Sequence, residues 1–220
     1  VFPEATIRFD VDRKASRARA ESFLRDQGYD VSGYRYASAF QYDDSAKVFL
    51  EKELGLKAMD EAVEKTARIW KWSHRWFRPL QKEEYRVGIA PTGELVGFER
   101  ALDEDAPGGT LPEEEARSAA ESFLRSLRPA GLEDLRFLGA SSIDRKNRTD
   151  RVFTWERTDV DWKGGRYRHR VTVQGGKIGG YEEYVQVPEA WSRGYSRLRS
   201  SNMTAGAVSS VLMIATMLAM

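Results

Sequence analysis

AESFLR stands at Ala20–Arg25, and the same six residues stand again at Ala120–Arg125. An identical hexapeptide is improbable by chance in a chain of 220 residues. The repeat therefore predicts either a duplicated unit or one type of helix used twice for the same packing purpose. In each copy Ala, Phe and Leu recur at helical spacing and form one apolar face. The Glu and Arg of each copy are four residues apart, and we expect them to pair on the solvated face.

Helix boundaries are predicted around both copies. Asp12 is a candidate N-cap for the first helix, because its carboxylate can accept hydrogen bonds from free backbone amides, and Gly28 ends that helix. Thr110 and Glu113 form a capping-box pattern before the second copy. Each hexapeptide is therefore expected to lie in an amphipathic helix of about four turns.

Strand-like runs follow both helices. The first helix is followed by one strand, a helical stretch broken near Gly55, and three further strand-like runs; the second is followed by four. Hairpin signals occur at 91–93 and at 175–176. These patterns predict a helix followed by an antiparallel sheet, in two copies.

The repeat extends beyond the hexapeptide. Residues 85–87 and 97–99 read Tyr-Arg-Val and Gly-Phe-Glu, and residues 169–171 and 180–182 read His-Arg-Val and Gly-Tyr-Glu. Each helix is expected to press its apolar face onto the sheet that follows it. The hexapeptide is therefore interpreted as a packing element with no chemistry of its own.

The expected fold class is α+β, with two tandem helix-plus-sheet units and a C-terminal helix. The first unit is predicted at 1–105, with a helical insertion at about 43–68. The second unit is predicted at 106–190, after a hinge at 101–109 that is rich in acidic residues, Pro and Gly. Residues 191–220 are expected to form a juxtamembrane segment and the start of a transmembrane helix.

Composition narrows the function classes. The hydrophobic fraction is 41% and the charged fraction 31%, which is typical of a globular protein, and the net charge is +1. That balance argues against a nucleic-acid-binding protein, which needs a positive excess. The chain has no cysteine, so it can form neither a disulfide framework nor a thiolate zinc site.

The C-terminal run differs from the rest. Residues 203–220 read MTAGAVSSVLMIATMLAM and carry no charge. A span needs roughly 17–25 apolar residues, so this run favours the opening of a transmembrane helix; a buried core helix or docked tail is the alternative. Arg193, Arg197 and Arg199 precede it and would face the cytoplasm by the positive-inside rule.

No catalytic or metal constellation is evident. The two histidines, His74 and His169, each lie in a strand-like run, without metal-ligand spacing. The acidic run at 103–105 lacks the spacing of a calcium loop and is expected to be a solvated linker, and Asp159 and Asp161 are expected in a turn. The sequence therefore predicts no catalytic residue, no metal site and no cofactor.

One aromatic strand is the candidate interaction face. Trp70, Trp72 and Trp76 share parity and would point to one side of a strand, with Arg75 and Arg78 at its edge. Core packing is the first interpretation of such tryptophans. A face that contacts a peptide or glycan is the second, and stacking on single-stranded nucleic acid is disfavoured by the balanced charge.

Several stretches carry a family resemblance. FLEKELGL from residue 49, HRWFRPLQKEEYRVGIAPTGELVGFE from 74, NRTDRVFTWE from 147, RYRHRVTVQGG from 166 and VPEAWSRGYSRLRSSN from 187 resemble the long N-terminal region of bacterial CPBP-family intramembrane proteases, the CAAX-protease and bacteriocin-processing group. The resemblance covers nearly the whole chain. It implies two PepSY-like units before a multi-helix membrane protease domain, whose first helix would begin at Met203.

The resemblance transfers no active site. The family's protease uses a Glu-Glu pair with an Arg four positions later, in membrane helices. Here the pairs at 83–84, 113–114 and 182–183 lack that spacing or an apolar setting. The parent protein would be an endopeptidase, while this region would hold none of its catalytic residues.

The expected function is a non-catalytic region of a membrane-bound protease, which regulates it or docks its substrate. The alternative is a membrane-anchored PepSY-like binding module without a protease. The implied partners are the lipid bilayer, the protease domain of the same chain, and a peptide or protein substrate, with no nucleic acid. The resemblance implies an extracytoplasmic location, after another span upstream of Val1, although the arginines before Met203 indicate the opposite side.

Overall fold

The computed structural model describes residues 7–129 and 131–198. Its helices are α1 (Arg13–Asp26), α2 (Asp44–Leu54), α3 (Leu56–Lys65), α4 (Glu113–Leu127) and α5 (189–198). Its strands are β1 (Arg35–Tyr42), β2 (Trp70–Phe77), β3 (Glu84–Ile89), β4 (Leu95–Ala101), β5 (Leu135–Asp144), β6 (Thr149–Arg157), β7 (Arg166–Gln174) and β8 (Lys177–Gln186).

All eight strands form one antiparallel sheet in the order β1-β2-β3-β4-β8-β7-β6-β5. The predicted α+β class is confirmed. The four strands after α1 and the four after α4 are both meanders, and their last strands, β4 and β8, pair with each other. Residues up to Gln186 therefore form one compact unit, and the chain from Val187 onward forms a second.

The two meanders share a register. In β3 and β4, Arg86 lies opposite Glu99 and Gly88 opposite Gly97. In β7 and β8, Arg170 lies opposite Glu182 and Thr172 opposite Gly180. The sequence echo thus marks positions that have the same neighbours in each half of the sheet.

The repeated helices lie on one face of this sheet. Ala20, Leu24, Ala120 and Leu124 are fully buried. The ring of Phe23 contacts Phe98 edge-on at 5.0 Å between centroids, and the ring of Phe123 contacts Tyr181 in the same way at 5.4 Å. The two repeated phenylalanines are themselves 6.3 Å apart, so they join the helices across the centre of the core.

The first helix begins and ends as expected. The Asp12 carboxylate accepts a 2.7 Å hydrogen bond from the Ala15 amide, so the predicted N-cap is confirmed. Gly28 follows the helix with φ of +75°, a conformation that glycine adopts without strain. Glu21 pairs with Arg17 at 2.8 Å rather than with Arg25, whereas Glu121 contacts both of its helical neighbours, Arg117 and Arg125.

The predicted capping box before α4 is wrong. The helix starts at Glu113 itself, with Pro112 at the N-cap and no side-chain cap, so Glu113 is two positions too early to close the box. The Thr110 hydroxyl instead contacts the Thr149 hydroxyl at 3.3 Å. Three glutamates at 113–115 occupy the first turn and complement the positive end of the helix dipole.

Helices α2 and α3 occupy the predicted insertion at 43–68, and the chain breaks between them at Gly55, where φ is +79°. Phe49 and Leu50 of α2 and Met59 of α3 are buried. Phe49 lies against Gly165, where an added Cβ would approach the Phe49 ring to 2.4 Å. The insertion therefore packs onto the second half of the sheet as well as following the first strand.

The unit from Val187 onward is described only in its first part. Helix α5 contains stacked Trp191 and Tyr195 rings at 5.1 Å and an ion pair between Glu189 and Arg193. Across residues 7–129 and 131–198, none of the helices has both the length and the hydrophobicity of a membrane span. The apolar run predicted to open a transmembrane helix, Met203–Met220, lies outside the described residues.

Candidate binding cleft at the centre of the sheet

The seam between the two halves of the sheet is short. Strands β4 and β8 pair at only three positions, Gly97 with Glu182, Phe98 with Tyr181, and Glu99 with Gly180. Strand β8 continues to Gln186, and over that length it pairs with β7. Past the Gly97–Glu182 pair both strands continue, but the ladder between them does not.

One end of the seam is closed by side chains. The Tyr29 hydroxyl donates a 2.7 Å hydrogen bond to the Ile178 carbonyl. The Gln174 side-chain amide donates to the Arg100 carbonyl at 3.2 Å. Backbone carbonyls just past the three-pair ladder are thus satisfied by the protein itself at this end.

The other end of the seam opens into a cleft of about 520 Å³. We call it the seam cleft. Its walls come from the end of β1, the entry to β2, the start of β4 and the end of β8: Phe40, Gln41, Tyr42, Asp43, Arg68, Ile69, Lys71, Val96, Tyr167, Glu182, Glu183, Tyr184 and Val185. Its volume falls within the range of about 300–1,000 Å³ that is usual for ligand sites. Both halves of the sheet contribute to it.

Glu183 anchors the floor of the seam cleft. Its side chain is 5% exposed and accepts hydrogen bonds from the hydroxyls of Tyr167 at 2.7 Å and Tyr181 at 2.8 Å. The Arg68 guanidinium donates to the same carboxylate at 3.1 Å. Three donors around one buried carboxylate compensate for its desolvation.

Burial and charge shift the pKa values of this network. Desolvation, followed by the negative charge of Glu183, raises the pKa of both tyrosine hydroxyls well above 10.0. Desolvation lowers the pKa of Arg68, but the surrounding negative charges, led by that of Glu183, together with the hydrogen bond to Glu183 outweigh it, and the pKa is raised overall. Both tyrosines therefore remain neutral hydrogen-bond donors, and Arg68 remains a cation that ties the insertion to β8.

Both histidines are buried beside this region rather than lining the cleft. His169 is 1% exposed, and its Nδ1 lies 3.1 Å from the Tyr181 hydroxyl. That hydroxyl donates to Glu183, so it accepts from Nδ1–H, and the buried Nε2, which has no partner among the described residues, is a bare acceptor. Burial lowers the pKa of His169 from 6.5 to about 4.

His74 sits in a second buried network. It is fully buried, with Nδ1 2.8 Å from the Tyr36 hydroxyl and Nε2 3.0 Å from Ser16 Oγ. Burial, followed by the charge of Arg17, lowers its pKa to about 4. Ser16 Oγ also donates to the Arg13 carbonyl at 3.0 Å, so the pair is a satisfied core contact with no access for a substrate.

The predicted tryptophan face is placed mainly in the core. Trp70 and Trp76 are 4% and 2% exposed, so they offer no surface to a partner. Trp72 is half-buried and donates its indole N–H to the Val11 carbonyl at 3.2 Å. Arg75 lies on the opposite face of the sheet, paired with Glu84, and Arg78 lies 4.1 Å over the Tyr34 ring. The five residues are therefore not brought together, although Trp70 lies next to Lys71 of the cleft wall.

Sequence reasoning missed Arg68 and Glu183. A signal existed for Glu183, because it shares strand parity with the buried Tyr181 and Val185 and is therefore an acidic residue at a core position. No local signal exists for Arg68, which precedes β2 and meets its partner 115 residues later in the chain. In the described ranges there is also no cluster of three residues that could hold a metal ion.

No family model and no curated protein matches the chain. A solved structure of the Bacillus megaterium YpeB C-terminal domain is similar, with a TM-score of 0.44 and 17% sequence identity. The match covers 78% of this chain and 62% of that chain. This degree of similarity assigns neither a family nor a function.

Proposed function

We propose that this chain is a non-catalytic binding region of a membrane-bound CPBP-type intramembrane protease, where it docks substrate or regulates access to the protease. It would be built from two PepSY-like helix-plus-sheet units joined edge to edge through β4 and β8. The family resemblance of its sequence stretches supports the protease context. The seam cleft supports a binding role.

The duplication is supported by contacts that recur at the same spacing. Arg17 lies 3.9 Å over the Tyr36 ring, and Arg117 lies 4.0 Å over the Phe137 ring. Each of these arginines also pairs with the Glu of the hexapeptide four residues later. Recurrence in side-chain stacking, in ion pairing and in strand register favours a repeated unit over a helix reused by coincidence.

One observation carries the binding role. The seam cleft is lined by aromatic, apolar and charged side chains from both halves of the sheet, while the imidazoles of His74 and His169 are buried. A general base must reach the proton that it abstracts. Within the described residues, both imidazoles are therefore separated from the surface that a ligand can reach.

The membrane context is proposed from the sequence. The apolar run from Met203 would anchor the region to the bilayer and lead into the protease domain, with residues 7–198 outside the cytoplasm. A reporter fused after Glu189 tests this orientation. Signal from an extracytoplasmic reporter supports it, and signal from a cytoplasmic reporter alone overturns it.

A membrane-anchored module without a protease is the second candidate. It rests on the seam cleft, which both halves of the sheet line, and does not use the resemblance to the protease family. The reading frame beyond Met220 separates the two candidates. Several further apolar spans, with a Glu-Glu pair in one of them, support the protease context, and a frame that ends after one span supports the second candidate.

A hydrolysis assay tests the absence of catalysis. We expect the purified full chain to leave a fluorescent casein substrate uncut. Turnover that a single substitution within the chain abolishes would overturn the non-catalytic role.

A further inference from the structure

We infer that the seam cleft takes an extended peptide carrying a carboxylate side chain, and that the peptide adds as a strand to the edge of β8 at residues 183–185, on the side of β4. This inference rests on the proposed binding role and names the class of ligand. It follows from three features that the described residues give the cleft: a strand edge at 183–185 that the β4–β8 ladder does not reach, apolar walls on either side of it, and a lysine without a carboxylate partner in that part of the chain.

The end of β8 beyond the β4–β8 ladder provides a strand edge. After Glu182 pairs with Gly97, β8 continues through residues 183–185, and its register on that stretch is with β7. Glu183, Tyr184 and Val185 line the cleft. Three residues of strand extend about 10 Å, which is the length of a tripeptide in β conformation. A peptide that pairs here would use main-chain hydrogen bonds, as in other cases of strand addition.

The opposite end of the seam is closed, and this difference supports a binding site at the open end. There the carbonyls of Arg100 and Ile178 accept hydrogen bonds from Gln174 and Tyr29. The two ends of the seam lie at equal distance from the central Phe98–Tyr181 pair. One end is filled by the protein's own side chains, and the other encloses about 520 Å³. The open end is also the one bordered by the insertion, which the second half of the sheet lacks.

The walls determine which side chains fit. Phe40, Ile69, Val96 and Val185 supply apolar surface, and Tyr42, at 49% exposure, forms an open aromatic flank. In an extended peptide alternate residues point to opposite sides, so apolar residues would meet these walls at every second position. A cleft of this composition favours a peptide with β-branched residues in alternation.

The charges select a carboxylate. Arg68 pairs with Glu183 and Glu94. Glu182 pairs with Arg170 at 3.2 Å, and the Asp43 carboxylate caps helix α2. Lys71 has no carboxylate partner among the described residues, and its side chain lies across Gly88, where an added Cβ would approach it to 3.1 Å. The absence of a side chain at Gly88 therefore lets Lys71 lie along the sheet at the mouth of the cleft. A carboxylate on the peptide would provide the missing partner.

The experiment uses the full chain and three labelled heptapeptides in fluorescence anisotropy titrations. The first is acetyl-Val-Thr-Val-Glu-Val-Thr-Val-amide, the second carries Lys in place of Glu, and the third is the first with N-methyl groups on alternate residues. We expect the first to bind at least tenfold more tightly than either of the others. The N-methylated peptide tests strand pairing without any change to the protein, so the result does not depend on the folding of a variant.

A charge swap tests the role of Lys71. Lys71→Glu is expected to weaken the Glu peptide at least tenfold and to strengthen the Lys peptide. The matched control is Lys146→Glu, because the Lys146 side chain is 70% exposed, pairs with Asp105 and does not line the cleft. We expect the control to leave all three affinities unchanged.

Each result decides one part of the inference. Equal affinity for the N-methylated and unmodified peptides overturns strand addition. Equal affinity for the Glu and Lys peptides, unaffected by Lys71→Glu, overturns the carboxylate preference. If none of the peptides binds at millimolar concentration, the peptide ligand is overturned as a whole. The protease context is judged separately, by the reading frame beyond Met220.

Discussion

The two buried histidines make the free energy of unfolding depend on pH. Three substitutions around His74, in the first half of the protein, should remove half of that dependence. Ser16 lies four residues before the first hexapeptide, where Ala116 lies before the second. Tyr36 pairs with Trp76, and Phe137 pairs with Trp155 at the corresponding place in the second half. His74 and Phe153 each lie two residues before those tryptophans. The second half thus has Ala, Phe and Phe where the first has a hydrogen-bonded Ser, Tyr and His.

The magnitude follows from the pKa shifts. Burial lowers the pKa of each histidine from 6.5 to about 4, so the unfolded chain binds protons between these values that the folded chain does not. Stability is therefore complete above about pH 7 and is lost as the pH falls toward 4. Between pH 8 and pH 5, each histidine lowers the free energy of unfolding by about 2 kcal/mol, and the two together lower it by about 4 kcal/mol.

The variant Ser16→Ala, Tyr36→Phe, His74→Phe carries the side chains of the second half. Changing all three together leaves no buried hydroxyl without its partner. We expect the loss of stability between pH 8 and pH 5 to fall from about 4 to about 2 kcal/mol, with His169 responsible for the remainder. Urea unfolding followed by tryptophan fluorescence measures both values.

The control is Ser38→Ala, which changes the cross-strand neighbour of His74 and leaves its hydrogen bonds in place. It should retain the full loss of about 4 kcal/mol. A triple variant that loses as much stability as the wild type would show that His74 is not held neutral by burial. That result would refute the reasoning for both histidines.

Two further predictions concern the seam and the insertion. Glu183→Ala leaves Arg68 and two tyrosine hydroxyls without their acceptor, so we expect the free energy of unfolding to fall by about 3–5 kcal/mol in urea unfolding. The control Glu182→Ala, at the exposed neighbouring position, should lower it by under about 1 kcal/mol, and equal losses would contradict the anchoring role. Gly165→Ala forces a Cβ into the Phe49 ring and should lower the free energy of unfolding by about 1–3 kcal/mol. The control Gly194→Ala has open space around it and should not lower this free energy, and an unchanged value for Gly165→Ala would contradict the packing.

Local features of the fold were predictable because local physics produces them. The helix around each hexapeptide follows from its apolar spacing, the Asp12 cap from one carboxylate, and the break at Gly55 from a backbone that needs positive φ. The start of α4 was mispredicted because Pro112 occupies the N-cap, which moves Glu113 out of the box position.

The seam was not predictable in the same way. The pairing of β4 with β8 joins residues more than 80 positions apart, and no turn or spacing links them. The cleft depends on where that ladder stops, on Arg68 reaching Glu183, and on Lys71 lying across Gly88. Each of these is a long-range contact, so the sequence drew attention to the neighbouring tryptophans, whose apolar character is visible locally, and missed the site beside them.

Amide hydrogen exchange on the full chain, with and without the Glu heptapeptide, measures the binding claim most directly. If the open end of the seam receives an extended peptide, the amides among residues 183–185 that point away from β7 should exchange at least tenfold more slowly when it is present, and the N-methylated peptide should have no such effect. Protection confined to other parts of the sheet, with these amides unchanged under saturating peptide, would contradict it.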